Sequence, residues 1–389
     1  MLPSFTNQPL LLTPGPVPLH PKVLESLAQP MIHHRTKAFT QFLVESLIGL
    51  KSIFHTQQDV FILSSTGSGG MEALLANTLG SGDKVLVIQS GKFGERWANM
   101  AKRYPGVDTR VYPVASGHNI DLCHLEEQIQ LLRPTVLLSQ ATETSTGQKH
   151  PLREISALYH RHCPDGLFLV DGITAVGAYP VLMDEWDLDG LVAGSQKAFM
   201  LPTGLSFVSL SQRAWKKKQN MPSCSYYWDL SLEKKANEKQ QTYFSSNITL
   251  IRALQVSIEL ILEKGLPSHY AEIAARAGVT HEFLQTLGLK SFCASPSESI
   301  TAIEIPWGSS ALRDHLEKQY QLTLMDGQDE LKNQLLRVGH MGYIPREHLM
   351  ESLRRIYLGI KDLEPNFLKL SEEEMAAWLR HRFSPLKNS

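Results

Sequence analysis

The chain has 389 residues and a formal net charge of −1, so no strongly charged surface argues for nucleic acid or an anionic membrane as partner. Hydrophobic residues make up 42% of it, enough for a substantial core, and no run approaches the roughly 20 apolar residues of a membrane span. Four cysteines (Cys123, Cys163, Cys224 and Cys293) lack metal-ligand spacing, which predicts reduced thiols, no metal site and a cytoplasmic protein.

From about residue 57 to 210, strand and helix patterns alternate. Val60-Phe-Ile-Leu63 is a short apolar run, followed by the glycine-rich turn Thr66-Gly67-Ser68-Gly69-Gly70 and by helical spacing from Met71 to Leu79. Lys84-Val-Leu-Val-Ile88 predicts the next buried strand, and Lys92 to Arg103 a helix. The runs at 109–113, 135–138, 168–170, 191–193 and 206–210 complete the strand set. These runs are continuous rather than alternating, as in strands covered on both faces, and they predict a doubly wound, mostly parallel α/β sheet.

Beyond residue 215 the pattern changes. Lys216-Lys217-Lys218 reads as a solvated turn, and residues 216–242, polar and aromatic without periodicity, as a long surface excursion. Leu250, Leu254, Ile258, Ile261 and Leu262 mark one face of a helix ending near Gly265. Thr301, Ile303 and Ile305 alternate like a strand with one buried face, and Leu349, Leu353, Ile356 and Ile360 form another helical stripe. A smaller α+β domain follows from these signals. Ser371-x-x-Glu374 is a capping-box pattern opening a C-terminal helix with Met375, Trp378 and Leu379, packed on the body or on a partner chain. The expected division is an arm over 1–20, a large domain over 21–264, a small domain over 265–370 and a helical tail over 371–389.

Two residues carry the chemistry. Asp171 ends the 168–170 run, and Lys197, 26 residues later in Gly194-Ser195-Gln196-Lys197, follows the 190–193 run. A lysine that can hold an aldehyde as a Schiff base, with a carboxylate to keep a pyridine nitrogen protonated, is what pyridoxal phosphate requires. The ends of parallel strands are where an open α/β sheet binds its ligand. Thr66-Gly67-Ser68-Gly69-Gly70 before a helix offers backbone N–H groups and a helix N-terminus to a phosphate, or is an ordinary turn. Phe93, directly after a strand, either stacks on a flat ring or anchors the next helix in the core. Hydroxyls of Glu143-Thr144-Ser145-Thr146-Gly147 either reach a ring substituent or cap a turn. Arg337, within the apolar Leu336-Arg337-Val338-Gly339, needs an anion: a substrate carboxylate or an internal salt bridge.

In order and spacing these pieces resemble the class V aminotransferases of the pyridoxal phosphate fold type I, nearest the alanine–glyoxylate and serine–glyoxylate (serine–pyruvate) branch. The opening Leu12-Thr-Pro-Gly-Pro16 matches that branch's N-terminal signature, and the likeness runs to about residue 360. It implies that Lys197 forms the covalent link to the cofactor, Asp171 pairs with the pyridine nitrogen and Phe93 stacks on the ring. Thr66, Gly67, Ser68 and Gln196 would bind the phosphate, Thr144 would lie near the ring hydroxyl, and Arg337 with Gly15 would meet the substrate. A segment of the second subunit, here Tyr243-Phe244-Ser245-Ser246, would close the phosphate site through Tyr243 or Ser245, which implies a homodimer. The implied reaction moves an amino group from alanine or serine to glyoxylate or pyruvate in a ping-pong cycle. Phe93 stands where alanine–glyoxylate relatives have tryptophan, and Ser68 where they can have histidine. A cysteine desulfurase of the same fold would need a nucleophilic cysteine, such as Cys224 or Cys293, on a mobile loop. A binding protein retaining the fold would not need Lys197, Asp171 and Arg337 together.

Overall fold

A computed structural model describes residues 9–221 and 225–383; Cys224 lies outside the described residues. Seven strands form the main sheet. Their spatial order is Val60–Leu63, Ser206–Leu210, Gly190–Gly194, Leu167–Asp171, Val136–Gln140, Lys84–Gln89, Asp108–Pro113. Only Ser206–Leu210 runs against its neighbours, so the sheet is mostly parallel. The continuous apolar runs exist because both faces are covered. Ile62, Leu86, Ile88, Leu137, Phe168 and Val170 meet helix residues such as Phe39, Leu43, Ile251 and Leu254. Their alternate neighbours, including Phe61, Val85, Val87, Leu138 and Leu169, meet Met71, Leu74, Trp97 and Ala101 on the other side.

A second, smaller sheet is antiparallel, in the order Lys290–Ser291, Ile300–Glu304, Leu335–Gly339, Met325–Asp326. Its core gathers Phe283, Ile303, Leu336, Val338, Leu353 and Ile356 with Leu10 and Leu12 from the start of the chain. Leu10–Leu11 pairs in parallel with Leu322–Thr323, and the Gly339 N–H donates to the Leu12 carbonyl. The first described residues are thereby laid across the strand that carries Arg337.

Several local expectations are corrected. The glycine-rich segment is not a turn but the first turn of the helix Gly67–Thr78, with Thr66 as an extended N-cap. Its glycines are needed for packing: a Cβ at Gly67 would lie 2.6 Å from Ile173, and one at Gly70 2.7 Å from Val192. Lys216-Lys217-Lys218 forms the last turn of the helix Gln212–Gln219, where cations suit the helix dipole. Lys217 pairs with Asp83 at 2.6 Å and the buried Lys218 with Asp229 at 2.8 Å. The 216–242 excursion contains the helix Leu230–Asn237, capped by Asp229. The strand Ile300–Glu304 is buried on both faces, because the Thr301 hydroxyl bonds the buried His340. The tail helix Glu372–Arg382 carries the expected capping box and places Met375 and Leu379 in the second core of its own chain. No helix among the described residues is long and apolar enough to cross a membrane.

Candidate active site

The carboxyl ends of five strands open on one edge of the main sheet. Val60–Leu63 leads into Thr66–Ser68, Lys84–Gln89 into Phe93, Val136–Gln140 into Thr144, Leu167–Asp171 ends at Asp171, and Gly190–Gly194 leads into Lys197. Lys197 and Asp171 are both buried. Lys197 Nζ donates to the Pro14 carbonyl at 2.6 Å, and a Cβ at Gly15 would come within 2.5 Å of the same nitrogen, at a positive φ of 139°. Gly15 thus lets the opening segment of the chain rest on the lysine. Burial and, after it, like-charge repulsion from Arg337 bring the Lys197 amine down to about 8, against the opposing pull of Asp171.

Burial pushes the Asp171 carboxyl up to about 6, against the hydrogen bond that its Oδ1 accepts from the Ile173 N–H at 2.9 Å. Its Oδ2 has no hydrogen-bond partner among the described residues. An acid with one oxygen anchored and the other open, ionised above pH 6, suits a pyridinium N–H.

A phosphate has its place as well. Thr66 is an N-cap whose side chain caps nothing, so the N–H groups of the first helical turn at Gly67–Ser68 stay open to an anion. Gln196 Oε1 is buried without a partner, folded back to within 3.0 Å of where a Cβ of Gly194 would stand. An orphaned amide beside Lys197, an unspent helix terminus and a buried lysine–carboxylate pair fit pyridoxal phosphate.

Phe93 is half-buried, so it is not a core anchor; its backbone is held instead. The Glu143 carboxylate, fully buried, accepts from the N–H groups of Phe93 (3.1 Å), Gly94 (3.1 Å) and Ser145 (3.1 Å), from the Ser145 hydroxyl and from Gln140 Nε2 (3.0 Å). The Thr144 hydroxyl shares a hydrogen bond with Thr174 at 2.7 Å, and the Thr144 carbonyl accepts from Arg337 Nη1 at 3.1 Å. Arg337 forms no internal salt bridge among the described residues. Its Nε and Nη2 both donate to the Asp326 carbonyl, at 3.0 and 2.6 Å. Three of its five donors are spent, leaving one on each terminal nitrogen for a carboxylate. Burial brings this guanidinium down to about 10, with the more distant charges of Asp326 and Glu143 opposing it.

Tyr243 and Ser245 do not meet these residues within one chain. Both are exposed, and their segment lies beside the residues that precede the cradle, where the Asn247 N–H donates to the Ser64 hydroxyl at 3.2 Å. Cys293 is buried with its thiol pushed up to about 11 by burial, the state of an inert rather than a nucleophilic cysteine. Sequence reasoning missed Pro14, whose role is a carbonyl, and the anchoring part of Glu143. It also passed over Arg96, three residues after Phe93 on the same helix face, whose guanidinium lies 4.8 Å from the centre of the Phe93 ring.

The family model for class V aminotransferases matches residues 22–329. An uncharacterised aminotransferase of Methanocaldococcus jannaschii is 33% identical over 91% of this chain and 93% of its own. The L-aspartate–glyoxylate aminotransferase of Paracoccus denitrificans is 29% identical over 92% of this chain and 93% of its own. Among solved structures, the ureidoglycine–glyoxylate aminotransferase of Bacillus subtilis superposes with a TM-score of 0.90 at 25% identity, covering 98% of this chain and 99% of that one.

Proposed function

The chain belongs to the class V aminotransferases, pyridoxal phosphate enzymes of fold type I, and within that family we propose that it moves an amino group from alanine or serine to glyoxylate or pyruvate by a ping-pong cycle. The observation that carries this reading is the buried Lys197, flanked by a carboxylate on one side and a half-satisfied arginine on the other. When bound, the cofactor supplies an aldehyde that links to amines and a ring that accepts an electron pair.

The chain's own groups do the rest. Lys197 Nζ, brought from its ordinary 10.5 to about 8 so that its uncharged form is more accessible, would be the attachment point and, when free, the base that takes the proton from the substrate Cα. Asp171 Oδ2, negative above pH 6, keeps the proton on the ring nitrogen. Arg337 grips the substrate carboxylate with its two remaining N–H groups and so fixes which Cα bond faces Lys197. Phe93 covers one ring face, and Thr66, Gly67, Ser68 and Gln196 take the phosphate.

Glyoxylate as acceptor is supported by two relatives that share it in their names while differing in donor, aspartate in one and ureidoglycine in the other. Alanine or serine as donor rests on relatives named for those donors, a serine–glyoxylate aminotransferase and an alanine–glyoxylate aminotransferase, with Arg337 free to take the carboxylate that either donor carries. In this reading the arm (1–20), large unit (21–264), small unit (265–370) and tail (371–389) act in a cytoplasmic homodimer.

A panel of alanine, serine and aspartate against glyoxylate, pyruvate and 2-oxoglutarate tests it. The expected result is turnover with a small donor and a two- or three-carbon acceptor, with parallel initial-velocity lines. Preference for 2-oxoglutarate, or intersecting lines, would overturn the substrate assignment or the ping-pong cycle respectively.

A further inference from the structure

Arg96, like Arg337, is a cation of this region with no salt bridge among the described residues. Its neighbour Lys92 is paired with Glu95 at 3.1 Å and Asp329 at 2.8 Å, and Arg213, near the start of the strand Gly190–Gly194, with Asp187 and Asp189. Arg96 is half-buried and has no carboxylate within salt-bridge distance among the described residues. Its hydrogen bond goes from Nη1 to the Ser68 Oγ at 2.9 Å, and its guanidinium carbon sits 4.8 Å from the centre of the Phe93 ring. A guanidinium drawn partly out of water with most of its donors unspent calls for an anion.

The direction of that hydrogen bond matters. Arg96 has no acceptor, so the Ser68 oxygen accepts, and the serine's own hydrogen is left to donate elsewhere. The open side of Ser68 is the first turn of the Gly67–Thr78 helix. The other groups assigned to that cradle, the Thr66 hydroxyl, the Gly67 and Ser68 N–H groups and the Gln196 amide, are neutral. Arg96 also lies near enough to Asp171 and Lys197 for its charge to act on both. It therefore touches the ring-stacking side chain and the cradle at once.

We propose that Arg96 is a positioning residue for an oxyanion, the cofactor phosphate: it turns the Ser68 hydroxyl into an obligate donor and gives an otherwise neutral cradle its positive charge. This rests on the cofactor reading above. The same oxyanion chemistry could come from the side-chain carboxylate of a dicarboxylic amino acid, and the contact with Ser68 at the helix terminus favours the phosphate.

The test compares binding of pyridoxal phosphate with binding of pyridoxal, which lacks only the phosphate. Full-length protein stripped of cofactor is titrated by absorbance as wild type, Arg96→Gln, Arg96→Lys, Ser68→Ala and the Arg96→Gln/Ser68→Ala double variant, with melting temperatures recorded for each. Wild type should prefer the phosphorylated form. Arg96→Gln should cut that preference roughly ten- to a hundred-fold, the size of one charge-assisted contact, while pyridoxal binding and melting temperature change little. Arg96→Lys should recover part, and in the Ser68→Ala background Arg96→Gln should add little more. An unchanged preference in Arg96→Gln overturns the proposal, and so does a loss that appears only as a raised KM for aspartate relative to alanine. Fully additive losses overturn the route through Ser68. If wild type bound neither form, the cofactor reading would fall first and the proposal with it.

Discussion

The uncharged form of the Lys197 amine is the one that reacts, and its surroundings decide how much of it exists. Burial and the Arg337 charge hold the amine near 8 rather than its ordinary 10.5. The rate at which Lys197 captures added pyridoxal phosphate should therefore rise with pH through about 8 and level off above it, as stopped-flow absorbance would show. Removing a neighbouring cation makes the ammonium easier to keep, so Arg337→Ala should move that midpoint to higher pH. The same change should raise the KM for the amino acid roughly ten- to a hundred-fold, the loss of a charge-assisted pair of hydrogen bonds. A KM that stays where it is removes Arg337 from the substrate; a midpoint that stays removes its influence on Lys197. Lys197, Asp171 and Arg337 are legible in the sequence because each is a charge set in or just after an apolar run, where only function or a partner explains it. Pro14 is not legible, because its part is played by a backbone carbonyl 183 residues from the lysine it meets. Arg96 escapes for a related reason: its partner Ser68 is on another helix, and surface arginines in amphipathic helices are ordinary.

Among the elements, the short hairpin of Thr142–Glu143 and Gln148–Lys149 joins the two cores. Glu143 holds the turn before Phe93, Thr144 holds Arg337, and beyond them the Gly147 carbonyl accepts from the Ser297 N–H at 2.9 Å. At Lys149 the N–H donates to Ser295, and the side chain pairs with Glu298 at 2.8 Å. Gly147 has a φ of 76° and a Cβ there would stand 3.3 Å from that of Ala302, so the turn admits little else. Glu143→Gln tests how much rests on this element. An amide presents an N–H₂ where the carboxylate accepts from several N–H groups, stranding at least one buried donor. The expected loss is about 1–3 kcal/mol in urea unfolding, the penalty of an unsatisfied buried polar group. A variant as stable as wild type would mean that the loop before Phe93 is held by something else. In the sequence, Glu143 reads only as the start of a hydroxyl-rich turn, since a carboxylate that caps another element cannot be told from a solvated one by local pattern. The glycine-rich helix start and the Lys216–Lys218 helix end were obscured by the same limit. Glycine lowers helix propensity and a lysine run suggests solvent, yet tertiary packing against Ile173 and Val192, and pairing with Asp83 and Asp229, override both signals.

For the whole molecule, the distribution of exposed apolar side chains argues for a second copy. Leu24, Met31, Ile48, Tyr226, Tyr227 and Tyr243 are all exposed, while Leu131 stands apart beside Arg110 at the Asp108–Pro113 edge. Met31 and the 241–249 segment are neighbours: Arg35 bonds Gln241, and Thr249 reaches the Met31 sulfur. Tyr226 and Tyr243 share a hydrogen bond at 3.1 Å. In the homodimer proposed above, exposed apolar side chains of this kind would be covered by the partner subunit. Light scattering should give about twice the 43.6 kDa chain mass, and Met31→Arg should shift it towards monomer. If the exposed Ser245 completes the partner's phosphate site, the two subunits can be made to rescue each other. Lys197→Ala kills the site that contains that lysine. Ser245→Asp sets a carboxylate against the phosphate of the site opposite. In a heterodimer of the two, the site with the intact lysine faces the intact serine, and the other site carries both lesions. Random re-association makes about half the dimers mixed, each with one working site of two, so about a quarter of wild-type turnover should return on mixing two inactive variants. Mixed dimers that stay inactive would show that each chain completes its own site.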